Sequence, residues 1–222
     1  MHIPKFKRLP KHIGIIPDGN RRWAQGKGFS KADGYHYGIS PGFELYELCL
    51  QLGIGEMTFY GFTNDNLKRP ANQCVAFKKA CVDAVEILAH RDAALLVIGN
   101  DRSQHFPEQL KQYTKRVIFG HNLMKINFLV NYDWNWDLNR AVEKSRERSQ
   151  QKTFLNLIAS RDISRIDLII RWGGRRRLSG LLPVQSVYSD FFVVDDFWPD
   201  FEPNHLFNAL KWYETQDITL GG

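Results

Sequence analysis

Short apolar runs alternate with helix-like segments from one end of this chain to the other, and that alternation constrains the fold more than any other feature. The runs "HIGIIPDG", "EMTFYGF", "AALLVIGN", "KINFLVNY", "IDLIIRWGG" and "FFVVDD" read as strands. Between them, "PGFELYELCLQLG", "ANQCVAFKKACVDAVEILAHR", "PEQLKQYTKRVIF", "WDLNRAVEKSRERSQQ" and "PNHLFNALKWYE" read as helices. The second of these carries apolar residues at Val75, Phe77, Cys81, Val85 and Leu88, and the third opens on a proline. Near-continuous apolar strands joined by helices are what a parallel sheet covered on both faces requires. No repeat, low-complexity tract or linker breaks the pattern. Residues 1–222 are therefore expected to form a single α/β domain with a central, mostly parallel sheet flanked by helices.

In open sheets of this kind, ligands bind beyond the carboxyl ends of the strands. The segments "PDGNRR", "TNDNLKRP", "GND", "NYD" and "RWGGRRR" follow the strands and are rich in Asp, Asn, Arg and Gly. In "IIPDGNRRWA", Asp18 stands next to Arg21 and Arg22 just past a buried strand. The three charges could simply pair with one another. A sharper reading is that the arginines hold an anion and the aspartate holds the cation that accompanies it. Mg²⁺ favours one or two carboxylates plus substrate phosphate oxygens over a complete protein cage, so a lone aspartate beside arginines suits a metal–diphosphate site.

"RWGGRRRLSG" packs Arg171, Arg175, Arg176, Arg177 and Ser179 around a Gly-Gly turn. Glycine lets backbone approach an oxyanion closely, and arginine offers paired donors that match phosphate geometry. A solvated basic loop would carry the same letters, but this one follows a buried strand. A nucleic-acid stripe fits less well, because the arginines form one tight turn without interleaved aromatics. In "TNDNLKRP", Thr63 to Asn66 also read as caps and turn formers, and Pro70 holds Arg69 extended.

The formal charge of +6 points to an anionic partner, and 222 residues with 43% hydrophobic content can bury a core without disulfides. Cys49, Cys74 and Cys81 form no CxxC pair and read as reduced thiols of a cytoplasmic protein. The opening "MHIPKFKRLPKH" lacks the apolar core of a signal peptide, and no apolar run approaches the ~20 residues that span a bilayer. No dinucleotide, Walker, nucleophile-elbow or HExxH motif is present. "DDFWPD" reads as a strand end and turn.

Taken in order, "HIGIIPDGNRRWA", "FTNDNLKRP", "DLIIRWGGRRRLSG", "QSVYSDFFVVDDFWPDF" and the final "GG" resemble the blocks of the cis-prenyltransferase family, of undecaprenyl diphosphate synthase type. The resemblance spans nearly the whole chain. It implies a homodimer whose subunits each house a growing isoprenoid in a hydrophobic tunnel, with residues 43–52 and 75–88 as candidate walls. It also implies a substrate pair, an allylic prenyl diphosphate and isopentenyl diphosphate, with a peripheral membrane contact for release of the apolar product and no nucleic acid. By position, Asp18 would carry Mg²⁺ on a diphosphate and Asp190 would support that metal. Gly19, Asn20, Arg22 and Arg69 would grip the allylic diphosphate, joined by Arg21 and Lys31 at positions of the same site. Arg171, Arg177 and Ser179 would bind the second substrate. Asn66 would organise the condensation, and Tyr35 stands where a histidine assists departure of the diphosphate.

Other positions depart from the pattern. Arg21 replaces a glycine, Lys31 an arginine, Leu67 a tryptophan, Trp172 a threonine, Arg175 a glutamate, and Thr219 the arginine of a C-terminal RxG motif. These changes are expected to fall mainly on the second-substrate site. Condensation with isopentenyl diphosphate is the leading expectation. A branched condensation of two allylic diphosphates, transfer to another acceptor, or a catalytically silent partner subunit are the alternatives.

Overall fold

A computed structural model describes residues 3–121, 123–147 and 154–217. Seven strands form one sheet: β1 (His12–Ile16), β2 (Glu56–Tyr60), β3 (Ala93–Ile98), β4 (Val117–Ile118), β5 (Met124–Leu129), β6 (Leu168–Arg171) and β7 (Asp190–Val193). Their order is β4-β3-β5-β2-β1-β6-β7. Every pairing is parallel except β3 with the two-residue edge strand β4. β1 is fully buried and central. From it the chain first builds β2, β3 and β5 to one side and later adds β6 and β7 to the other. The order therefore reverses between β1 and β6, the place where an open sheet parts at its carboxyl edge and leaves a crevice.

The two faces of the sheet bury separate sets of alternating side chains, as a doubly covered sheet must. Ile13, Ile15, Met57, Phe59, Ile126, Phe128, Leu168 and Ile170 belong to the larger core. Ile16, Ile98, Leu129 and Ile169 belong to the opposite one. Helices α3 (Ile39–Gln51), α4 (Ala71–Leu88) and α6 (Pro203–Glu214) supply residues to the larger core. Two short helices, α1 (Asn20–Gly26) and α2 (Asp33–Tyr37), occupy the stretch after β1 that carries no clear sequence pattern, and α5 (Trp134–Glu147) follows β5.

Three expectations need correction. "PEQLKQYTKRVIF" is not one α-helix: a 3₁₀ turn covers Glu108–Tyr113, and Val117–Ile118 pairs with β3, because the β-branched end of the segment gains a sheet edge. Val75 is 62% exposed, since it lies two residues from Phe77 and so nearly opposite the stripe formed by Phe77, Cys81, Val85 and Leu88. Asp195 and Asp196 lie past the end of β7 and not within a strand. The three cysteines are free and buried, with burial pushing the Cys81 thiol up to about 12. Among the described residues, no helix is long and apolar enough to cross a membrane.

At the amino edge of the sheet, the His12 ring is 1% exposed, and its Nε2 lies 2.8 Å from Thr58 Oγ1. Burial lowers its pKa below the ordinary 6.5. Between those two values the folded chain binds fewer protons than the unfolded one, so stability is lost as pH falls through 6.5. Urea midpoints measured from pH 7.5 down to 5 should decline by at most about 1.4 kcal/mol per pH unit from this group. His12→Asn should flatten that part of the curve, and an unchanged slope in the variant would assign the decline elsewhere.

Candidate active site

The turn after β1 begins at Pro17. Gly19 has φ +106, a conformation that suits glycine, and an added Cβ would meet Phe197 at 2.7 Å. This sharp turn places the Asp18 carboxylate beside the end of β6. Asp18 Oδ2 accepts from Arg171 Nη2 at 2.8 Å, and Oδ1 accepts from the Gly19 N–H at 2.7 Å. Arg22, one helical turn on, approaches Oδ1 to 3.4 Å and lies over the Phe197 ring at 4.9 Å. Gly173, with φ +81, permits this approach: a Cβ there would fall 2.5 Å from Arg22 Nη2. Backbone bonds from Trp172 to Ile16, from Gly173 to Asp196 and from Trp198 to Asp18 tie the three turns together.

Burial alone would push the Asp18 carboxyl up. The hydrogen bond and charge of Arg171, the charge of Arg22 and the Gly19 N–H outweigh it and hold the group below the usual carboxylate range. Arg171, 4% exposed, is fixed on its other side by the Arg177 carbonyl and by Ser179 Oγ at 2.8 Å. Among the described residues, its Nε is buried without a partner, as is Asn20 Oδ1.

Around these groups opens a chamber of about 610 Å³, which Asp18, Gly19, Asn20, Arg21, Arg22, Lys31, Tyr35, Asn66, Arg69, Arg171, Arg177 and Ser179 all line. Eight cationic side chains and two carboxylates face it. One of those carboxylates, Asp65, is taken by Lys68 at 2.6 Å. Arg69 donates to the Tyr35 hydroxyl at 2.8 Å, and Tyr35 stacks on Phe77 at 4.5 Å. Burial raises the Tyr35 pKa against the lowering charges of Arg69 and Arg21, so the phenol keeps its proton. Asn66 serves two ends: its Oδ1 accepts from the Thr63 N–H at 2.9 Å in a capping box, and it lines the chamber. The cap reading of "TNDNLKRP" is thus met, and Asn66 also faces the chamber.

Other positions fall elsewhere. Asp190 is at the first position of β7, in register with Leu168, at the opposite end of β6 from Arg171. Its neighbours are Arg8 and Asp167, and burial raises its pKa. The fold does not bring Asp190 to Asp18 within the chain, because a match in sequence position does not say which end of a short strand that position occupies. Trp172 turns away from the chamber. It is fully buried, packs on Trp198 at 4.7 Å and donates to His205 Nδ1 at 3.3 Å, so its exchange for threonine is a core substitution. Leu67 packs against the larger core. Arg175 does line the chamber, whereas Thr219 lies outside the described residues.

Sequence reading missed Tyr60, whose hydroxyl donates to the Ser179 carbonyl at 2.6 Å and braces the arginine turn. Its signal was a tyrosine at the last strand position, on the opposite face from the core residue Phe59. A second cavity, almost wholly apolar, adjoins the chamber and shares Pro17, Asn20, Tyr35, Gly61 and Phe77 with it. A larger open groove of about 870 Å³ between α4 and the loop after β3 has walls of mixed charge and no comparable convergence.

Among the described residues, no three or more His, Cys, Asp or Glu side chains gather to cage a metal. The lone carboxylate of Asp18, one-third exposed to the chamber, fits a hard cation that takes its remaining ligands from water and phosphate.

The family model described as "Putative undecaprenyl diphosphate synthase" matches residues 16–221. The chain belongs to the cis-prenyltransferase family. An isoprenyl transferase of Leptospira interrogans is 30% identical over 96% of this chain and 95% of its own length. A ditrans,polycis-undecaprenyl-diphosphate synthase of Wigglesworthia glossinidia brevipalpis, named as specific for (2E,6E)-farnesyl diphosphate, is 27% identical over 100% of this chain and 92% of its own. The fold is shared with the lavandulyl diphosphate synthase of Lavandula x intermedia, solved with dimethylallyl diphosphate, at TM-score 0.82 and 24% identity over 96% of this chain and 98% of that one. As a cis-prenyltransferase, this chain is a prenyl-transferring enzyme, with its chamber at the sheet's switch point.

Proposed function

We propose that this chain condenses an allylic prenyl diphosphate with isopentenyl diphosphate to give a cis-prenyl diphosphate, and that Asp18 is the residue that would hold Mg²⁺. The observation that carries this reading is the pairing of two cation groups across Asp18 in one chamber that opens into an apolar cavity. Arg69, bonded to Tyr35 at the shared mouth, stands beside the apolar opening, and with Arg21, Arg22 and Lys31 it suits the allylic diphosphate. Arg171, Arg177 and Ser179, with Arg175, stand on the β6 side and suit the second diphosphate. A cation excess of this size matches two diphosphates better than one.

In the reaction, the allylic C–O bond breaks and the departing diphosphate keeps the electron pair. The acceptor's double bond supplies the electrons of the new C–C bond, and the proton lost from the acceptor carbon passes to a diphosphate oxygen. Bound Mg²⁺ would neutralise charge on the departing oxygens. The arginines act on the same charge from fixed positions, which costs no reorganisation when it develops. The Tyr35 hydroxyl already accepts from Arg69 and retains its proton to donate to a diphosphate oxygen. Asn66 and Tyr60 hold the facing turns in place.

The test is to incubate the purified chain and Mg²⁺ with labelled isopentenyl diphosphate and allylic diphosphates of several lengths, then identify the products. Prenyl diphosphates that need both substrates and Mg²⁺ are expected; no transfer to isopentenyl diphosphate from any donor would contradict the proposal. Tyr35→Phe keeps the stack on Phe77 and removes the hydroxyl, and should lower kcat by about ten- to a hundredfold. An unchanged kcat in that variant would leave Tyr35 a wall residue only.

A further inference from the structure

The turn that carries Arg177 and Ser179 leaves Ser179 at φ +53 and Gly180 at φ +86. A serine in the left-handed region is strained, and it persists only where its surroundings hold it. Two side chains based on strands do so. Arg171, the last residue of β6, donates to the Arg177 carbonyl and to Ser179 Oγ. Tyr60, the last residue of β2 and in register with Leu129 of β5, donates to the Ser179 carbonyl at 2.6 Å. Gly180 passes so close to these groups that an added Cβ would fall 2.7 Å from Trp134 Cδ1 and 3.4 Å from the Tyr60 hydroxyl. Burial raises the Tyr60 pKa, and the charges of Asp65 and Asp133 raise it further, so the phenol keeps the proton it donates.

We infer that Tyr60 is a positioning residue for the second substrate: its hydroxyl holds Ser179 in the left-handed form that keeps the Ser179 hydroxyl on Arg171 and in the chamber. The inference rests on the assignment of the β6 side of the chamber to isopentenyl diphosphate. Without the Tyr60 bond, Ser179 is free to relax to an ordinary right-handed or extended backbone, which turns its hydroxyl away. Arg171 would stay in place, because Asp18 and the Arg177 carbonyl still hold it. The loss therefore falls on the second diphosphate and spares the allylic one, which separates Tyr60 from Arg171.

The test is a double-mutant cycle read by calorimetry on the native chain, Tyr60→Phe, Ser179→Ala and the double variant. Each is titrated with a non-hydrolysable allylic thiolodiphosphate in Mg²⁺, and then, with that compound saturating, with isopentenyl diphosphate. Tyr60→Phe keeps the ring and removes only the hydroxyl. It should weaken isopentenyl diphosphate about tenfold and change affinity for the allylic compound by less than about twofold. The double variant should bind isopentenyl diphosphate no more weakly than Ser179→Ala alone, since both changes act through one hydroxyl. Fully additive losses would put Tyr60 on the substrate itself and overturn the positioning role. Equal weakening of both ligands would mark a general loosening of the fold and overturn it too. Native affinity in Tyr60→Phe would overturn the inference while leaving the second-substrate assignment standing. Failure of the native chain to bind isopentenyl diphosphate would overturn the assignment and the inference together.

Discussion

Alanine at Asp18 is expected to lower kcat/KM by about a thousandfold or more, because it removes the carboxylate that would hold the cation on the departing diphosphate. The substitution also frees Arg171, which is 4% exposed and donates to Asp18 at 2.8 Å. Leaving that guanidinium with fewer partners should destabilise the fold by about 1–3 kcal/mol. Asp18→Asn retains an acceptor for Arg171 and separates the two effects: thermal unfolding should stay near that of the native chain while turnover remains low. Near-native activity in Asp18→Asn, across a range of Mg²⁺ concentrations, would remove the metal role.

Arg171→Ala comes next in size. By sequence position it belongs to the second-substrate site, and loss of isopentenyl diphosphate binding alone would follow. The structure gives it a wider reach: one Nη holds Asp18, and the other holds Ser179 Oγ and the Arg177 carbonyl. The expected result is therefore a loss of kcat/KM of about a hundredfold or more for both substrates. Arg177→Ala, which leaves Asp18 paired, should weaken mainly the acceptor. Steady-state kinetics with each substrate varied in turn would distinguish them. An effect of Arg171→Ala confined to one substrate would contradict the bridging role.

The parallel sheet and the site at its carboxyl edge were legible in the sequence, because strand ends rich in Asp, Arg and Gly carry information that does not depend on packing. Asp18, Arg69 and Arg171 come together as those strand ends imply. Side-chain direction was not legible. Trp172 and Arg175 are three residues apart in one turn, yet one is sealed in the core and the other faces the chamber. Nothing in "RWGGRRR" states that, since two positive-φ glycines between them redirect the chain. Asp190 lies apart from Asp18 for a related reason: β7 is only four residues long, and its two ends face opposite edges of the sheet. The stacking of Phe59 on Phe128 was also beyond the sequence, because the two meet only through the β2–β5 register.

Anomalous diffraction from crystals grown with Mn²⁺ in place of Mg²⁺ and a non-hydrolysable allylic thiolodiphosphate tests the central claim most directly. The account predicts a manganese peak within coordinating distance of the Asp18 carboxylate, roughly 2 Å, bridged to the diphosphate in the chamber between β1 and β6. A diphosphate bound elsewhere, or a metal peak remote from Asp18, would contradict it.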